Sequence, residues 1–248
     1  MCSSDLSAQY GFARSAVNAL RGLDEGNAVV IGMPSRLAMR DAALVNGILI
    51  HGLDFDDTYL PGNVHLTASV VPTVLALGAR LNASGADVLA ACTVGLEAGM
   101  RIAAASKGAF LKQGFHPTGI CGVFASVLAA ARLMGLDHAQ TVMAQGLALS
   151  SASGTMQTTQ EGAWAERMHP GLMASAALTA AALAQKGFTG PQQAYEGEYG
   201  FYACFMGRLA GTEDLAGITD ALGTRWECAR TSDRKSTRLN SSHGYISY

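Results

Sequence analysis

Charge is scarce in this chain. Only 15% of its 248 residues are Asp, Glu, Lys or Arg, and the formal net charge is −2. That balance offers no basic face, so no nucleic-acid partner is expected. Aromatic residues are few as well, at 7%, which counts against a pocket built from stacked rings. The five cysteines (Cys2, Cys92, Cys121, Cys204 and Cys228) form no CxxC pair and are odd in number. This excludes a disulfide framework and a cysteine-rich zinc site, and fits buried thiols in a reduced, cytoplasmic protein. Long apolar runs are missing too. The richest, 120–131 and 172–184, fall short of the roughly 20 residues a bilayer demands, and the N-terminus carries no basic-then-apolar signal pattern. No membrane partner is expected.

What the chain does have is apolar substance: 49% hydrophobic residues and 29 glycines. That is enough for a sizeable core, and small residues let helices approach closely. Apolar positions such as Val88, Leu89, Cys92, Leu96 and Met100 recur at three- and four-residue steps, the spacing of one helical face. Helices are expected over 8–20, 35–53 (capped by Ser35), 68–81, 86–106 (capped by Ser84), 118–134 (opened by Pro117, stopped by Gly135) and 138–151 (capped by Asp137). Another runs from Pro170 to Gly187. A short helix and loop over 192–205 and a last helix over 215–222 complete the pattern. Residues 54–66 and 154–165 read as loops, 187–191 as a turn, and no period-2 strand run stands out. The expected fold class is all-α, a multi-helix bundle with nearly buried helices.

The two ends differ from the rest. Residues 234–248 are basic and Ser-rich without apolar periodicity, and the opening Met1-Cys-Ser-Ser-Asp-Leu6 is equally unlike its surroundings. Both read as translated adapter DNA. Residues 1–7 are therefore set aside as a non-native leader and 230–248 as a non-native, disordered tail, leaving 8–229 as the domain.

Three polar clusters interrupt the apolar bundle. They are His51-Gly-Leu-Asp54-Phe-Asp56-Asp57-Thr58-Tyr59 with His65 close behind, Gly114-Phe-His116-Pro117-Thr118-Gly119, and Glu166-Arg167-Met168-His169-Pro170-Gly171. In the last two a His precedes a Pro that suits a helix start. A helix N-terminus favours a carboxylate, and a neighbouring His can give or take a proton near neutral pH. Two such corners facing one another would hold an acidic substrate. Each His also has a plainer role as a satisfied structural hydrogen-bonder, and His51, on a helix, reads as packed rather than catalytic. Asp56 and Asp57 could simply cap or stabilise a loop.

These residues resemble the MmgE/PrpD family, which includes 2-methylcitrate dehydratases, cis-aconitate decarboxylases and related epimerases. The resemblance rests on Asn46-Gly-Ile-Leu-Ile-His-Gly-Leu-Asp-Phe-Asp-Asp-Thr58, Gly114-Phe-His-Pro-Thr-Gly119, Met168-His-Pro-Gly171 and Gln185-Lys-Gly-Phe-Thr-Gly-Pro191, with Glu196-Gly-Glu-Tyr-Gly-Phe201 a weaker match. It implies a large helical domain joined to a smaller α+β domain, the latter missing here. It also implies a homodimer and metal-independent lyase chemistry on di- or tricarboxylic acids, 2-methylcitrate dehydration first among them, without a cofactor. By position, His116, His65 and Asp54 take the catalytic places and Thr58, Arg167 and His169 the substrate-binding ones. Glu166 stands where many members have Lys, which turns attraction for a substrate carboxylate into repulsion. With part of the site absent, little turnover is expected of this chain alone. Two other readings stay open: a non-catalytic helical binding or assembly module, and a metal-dependent all-α enzyme using Asp54-Phe-Asp56-Asp57.

Overall fold

The computed structural model describes residues 3–233. Cys2 and the Ser-rich stretch 234–248, with His243, lie outside them. The helices are α1 (Ser3–Ser7), α2 (Gly11–Arg21), α3 (Met39–His51), α4 (Thr67–Leu81), α5 (Gly85–Ala105), α6 (Ala109–Lys112), α7 (Pro117–Met134), α8 (His138–Leu149), α9 (Gln157–Gln160), α10 (Ala165–Gln185), α11 (Phe201–Met206) and α12 (Leu215–Thr219). The protein is mostly helical, as its composition suggests. Two small antiparallel pairs correct the purely helical expectation: β1 (Ala28–Val29) with β2 (Arg36–Leu37), and β3 (Asp57–Thr58) with β4 (Ser232–Asp233). Each strand has two residues, too few to show an alternating pattern in sequence.

Local chemistry explains most helix ends. The Ser84 side chain accepts from Asp87 N–H to start α5, and Asp137 forms a full capping box with Gln140 at α8. Pro117 occupies the first position of α7, and Gly135 closes that helix in the left-handed conformation. Two starts differ from expectation. Ser35 caps nothing, because Arg36–Leu37 are drawn into β2 and α3 begins at Met39. Pro170 does not open α10, which starts at Ala165; it lies in the second turn, where the missing N–H removes one intrahelical hydrogen bond. Residues 3–7, set aside above, form α1, and Ser7 is buried.

α7 lies at the centre, with 78% of its length buried. Both α7 and α5 are long and apolar enough to cross a bilayer by length and composition, which corrects the sequence reading. Their apolar faces pack in the bundle. Around α7, Phe110, Phe124, Phe201 and Tyr202 make a ring cluster with centroid separations of 4.7 to 5.9 Å. Of the described cysteines only Cys121 is buried, and Cys204 is exposed, so buried structural thiols were the wrong expectation for most of them.

Small residues set the helix spacings. A Cβ on Gly47 of α3 would lie 2.4 Å from Gly171 Cα of α10, and one on Gly171 would lie 2.1 Å from Leu44 O. The two backbones therefore touch, which fixes how the ends of α3 and α10 meet. On the other side of the bundle, Arg101 of α5 is only 3% exposed. Its Nε donates to Glu97 Oε1 at 2.6 Å, Nη1 to Asp220 O at 2.6 Å and Nη2 to Arg225 O at 2.7 Å. Glu97 Oε2 in turn accepts from Cys228 N–H at 2.9 Å. One buried ion pair thus gathers the 217–228 segment onto α5. That segment supplies Glu227, whose Oε2 accepts from Tyr59 O–H at 2.7 Å and braces the hairpin behind β3.

Three outcomes follow from this packing. Gly47→Ala should destabilise the protein by about 3 kcal/mol or more, since backbone rather than a movable side chain resists the added methyl; a thermal melt checks it. Arg101→Ala should cost about 3–5 kcal/mol by stranding Glu97, and Arg101→Lys should recover little of that, because the guanidinium fork is what reaches Glu97, Asp220 and Arg225 together. Glu227 carries a pH signature. Burial alone would raise its carboxyl pKa, but Tyr59, Arg225 and Arg230 outweigh it and hold it below 4.5. Its contribution is present above that value and is lost as pH falls through the lowered one. In acid, Glu227→Gln should therefore lose less stability than the parent chain, as read from melting temperature against pH.

Candidate active site

The site is built where three helix ends meet. His51 is in the last turn of α3, His116 is the residue immediately before α7, and His169 lies near the start of α10. The 54–66 loop brings His65 to the same place. The rings run in a row: His169 to His116 at 5.2 Å between centroids, His116 to His51 at 5.6 Å, and His51 to His65 at 5.6 Å. The three sequence clusters do face one another. The structure brings together His65, His116 and His169, and adds the fourth, His51, that sequence reading set aside as packed.

His51 is buried, at 2% exposure, and its Nδ1 meets Asp56 Oδ2 at 2.6 Å. Burial by itself would lower the imidazole pKa. The charge and hydrogen bond of Asp56 raise it, with further help from Asp54 and Glu166, and the net shift is upward from 6.5. The end of α3 adds its partial negative charge in the same sense. The pairing could have been read from sequence as a His followed five residues later by an Asp across a helix-ending turn. That spacing is common enough to be uninformative without the fold.

His65 is differently held. Its Nδ1 donates to Asp57 O at 2.7 Å, and the same N–H faces Thr58 Oγ1 at 3.3 Å. Because a carbonyl only accepts, this fixes the proton of the neutral ring on Nδ1 and leaves a lone pair on Nε2. The His65 backbone N–H donates to Thr118 Oγ1 at 3.1 Å, tying the loop to α7. Thr58 is therefore next to His65, and it is buried.

His116 and His169 meet through Nδ1 to Nδ1 at 3.0 Å. A bond between two neutral rings needs one donor and one acceptor there. Burial, then the charge of His51, lowers His169 from 6.5 to about 4, so it stays neutral at ordinary pH. Gly154, at φ +120°, backs this pair: a Cβ there would lie 3.0 Å from His169 Nδ1.

The acids are close by. Asp54 adopts a left-handed backbone, φ +59°, an uncommon conformation that Asp tolerates better than most residues. Donor atoms of His51, Asp54 and Asp56 lie within 4.8 Å of one another, and so do those of His51, His116 and Glu166. Asp57 is held by the Thr67 hydroxyl, and burial raises its carboxyl pKa. Arg167 has partners of its own. Its Nε donates to Gly52 O at 2.8 Å and its guanidinium lies 5.2 Å from the Phe12 ring centre, so it ties α10 to the end of α3 and to α2. A cavity of about 350 Å³ bordered by Leu81, Asp87, Arg132 and Gln185 contains none of these groups.

Comparison with known proteins settles the family. The profile of the MmgE/PrpD N-terminal domain matches residues 6–210. The chain belongs to the MmgE/PrpD family. A cis-aconitate decarboxylase-like protein of Aspergillus oryzae is 30% identical over 90% of this chain and 48% of its own length. The human cis-aconitate decarboxylase is 34% identical over 72% of this chain and 38% of its own length. That of Aspergillus terreus is 32% identical over 74% of this chain and 39% of its own. The chain thus spans half or less of the curated relatives it matches. The family is one of lyases, which agrees with the expectation drawn from the motifs.

The contact between Gly154 and the histidine pair can be isolated. Gly154→Ala and Gly162→Ala both place a side chain at positive φ, but nothing lies within 4 Å of a Cβ at Gly162. Gly154→Ala should destabilise by about 1 kcal/mol more than Gly162→Ala, and only the former should shift the His116 and His169 imidazole resonances.

Proposed function

We propose that this MmgE/PrpD domain supplies the acid–base half of a lyase site for a di- or tricarboxylic acid, with decarboxylation of cis-aconitate or a close analogue as the reaction that the relatives' names favour. The observation that carries the reading is the convergence of four histidines at the N-terminus of α7. The first-turn N–H groups of that helix, at Thr118 and beyond, offer partial positive charge for a substrate carboxylate. His65, with its proton fixed on Nδ1, presents Nε2 as a base. His116, buried and coupled to His169, carries the second proton.

Both lyase reactions open to such a site use these parts. In decarboxylation a carbon–carbon bond breaks, CO₂ leaves, and the electron pair left on carbon spreads towards a neighbouring carboxylate before an imidazolium delivers a proton. In dehydration of a 2-methylcitrate-like acid, an imidazole takes a proton from carbon beside a carboxylate while a second protonated group passes one to the departing hydroxyl. Asp56 orients His51 and, with Asp54, raises its pKa, and Thr58 lies beside His65 to meet substrate oxygen. Arg167 and His169 act at one remove: the former fixes α10 against α3, the latter holds His116.

Glu166 works against a highly charged substrate. Two like charges at about 4 Å repel by roughly 1 to 4 kcal/mol, depending on solvent access, so binding depends on positive charge from elsewhere in the site.

Titration calorimetry of the whole chain with cis-aconitate and 2-methylcitrate tests this reading. Binding of one acid is expected, weakened at least tenfold in His116→Gln at an unchanged melting temperature. Carbon-labelled substrate separates the two reactions in the same samples, since labelled CO₂ marks decarboxylation and an unlabelled headspace with a changed substrate spectrum marks dehydration chemistry. Failure of every di- and tricarboxylate to bind would favour a non-catalytic helical module instead.

A further inference from the structure

Asp57 takes no part in the proton transfers of the site, yet it touches both ends of the loop that carries His65. Its Oδ1 accepts from the hydroxyl of Thr67, ten residues further on. Its Oδ2 is buried and meets no hydrogen-bond partner among the described residues. Burial pushes the carboxyl pKa up, against the pull of the Thr67 hydroxyl and backbone N–H. The bond to Thr67 has a local reason. Thr67 opens α4, and Leu66 before it supplies no side-chain cap, so Asp57 caps that helix from across the loop. Between the two, Tyr59 N–H donates to Val64 O at 2.9 Å and closes the loop on itself.

The backbone of the same residue grips the His65 ring: Asp57 O accepts from Nδ1–H at 2.7 Å. A free neutral imidazole carries its proton mostly on Nε2. The Nδ1–H form, which leaves Nε2 unprotonated and able to act as a base, has to be imposed by an acceptor at Nδ1. The other contacts of His65 do not impose it. Thr118 Oγ1 accepts from the backbone N–H and secures the main chain rather than the ring. Thr58 Oγ1, at 3.3 Å from Nδ1, belongs to a hydroxyl that can donate or accept and so selects neither form. The selecting group is the carbonyl of Asp57, and a carbonyl selects only while its own residue is held in place. We propose that Asp57 is a positioning residue for His65: its side chain, bonded to the Thr67 hydroxyl, fixes the carbonyl that keeps the ring proton on Nδ1. This rests on His65 as the base of the site, but its observable is the tautomer of one ring, which needs no substrate.

The test uses the full chain with nitrogen-15 in its histidines, in mildly alkaline solution, where proton–nitrogen correlation spectra distinguish the two tautomers of each ring. The parent chain is expected to show His65 protonated on Nδ1. Asp57→Ala and Thr67→Val should each lower the ratio of the Nδ1–H to the Nε2–H form about fivefold, the worth of one hydrogen bond. The double variant should lower it no further, because both changes break the same bond. Asp57→Asn keeps the acceptor and Thr67→Ser keeps the donor, so both should keep the parent ratio. His138, at the exposed start of α8, should be the same in every sample. Should Asp57→Ala fail to fold, Thr67→Val against Thr67→Ser decides the matter, since Val removes the hydroxyl and keeps the shape. An Nε2–H tautomer in the parent chain, an unchanged ratio in Thr67→Val, or additive losses in the double variant would overturn the inference. Calorimetry with the two acids on the same samples tests the lyase reading separately, and a failure there leaves the tautomer result standing.

Discussion

The crossing of α3 and α10 governs the site, because neither helix carries a side chain where they touch. Gly47 and Gly171 bring the two backbones into direct contact. One turn beyond Gly47 on the same face stands His51; just ahead of Gly171 stand His169 and Glu166. A crossing wider by one methyl group would move His51 away from His169 and Glu166. The seam of α5 and α7 works the same way, with Gly95 and Gly99 against Ala125. In this chain the small residues are the positioning devices, and the large ones, such as Phe124 and Tyr202, supply the burial that holds them.

Helix ends then set the electrostatics. α3 delivers the negative end of its dipole to His51, while α7 and α10 deliver positive ends to whatever lies before them. Glu166 sits in the first turn of α10, where a carboxylate is favoured, so an acid at that position suits its helix even though it opposes an anionic substrate. Asp56 raises the pKa of His51, while burial lowers that of His169 beside His116. A single cluster thus holds imidazoles of opposite tendency within 5 to 6 Å of one another, the arrangement that separate acid and base roles require.

Much of this was legible in sequence. Caps at Ser84 and Asp137, the opening Pro117 and the closing Gly135 act as their residue types dictate, and the three polar clusters were visible as interruptions of an apolar chain. Less visible were features that depend on distant partners. β4 and β3 are 174 residues apart at Thr58 and Ser232, so no local pattern announces their pairing. Ser35 looked like a cap but lies beside a strand residue. Arg167 looked like a substrate ligand, and only the fold shows it spent on Gly52 and Phe12. His51 was read as packed, and it is buried, but burial does not say which groups are buried with it. The family motifs marked the segments that meet more surely than periodicity did, since order and spacing along the chain encode contacts that periodicity cannot.

Four histidines from separate segments form one continuous row. Nuclear Overhauser contacts among the imidazole protons of the full-length chain test it most directly, with exposed His138 as the internal control. The structure requires contacts from His169 to His116, from His116 to His51 and from His51 to His65, and none from these rings to His138. A spectrum in which His51 touches neither His116 nor His65 would contradict the site at its centre, and with it the chemistry built on that row.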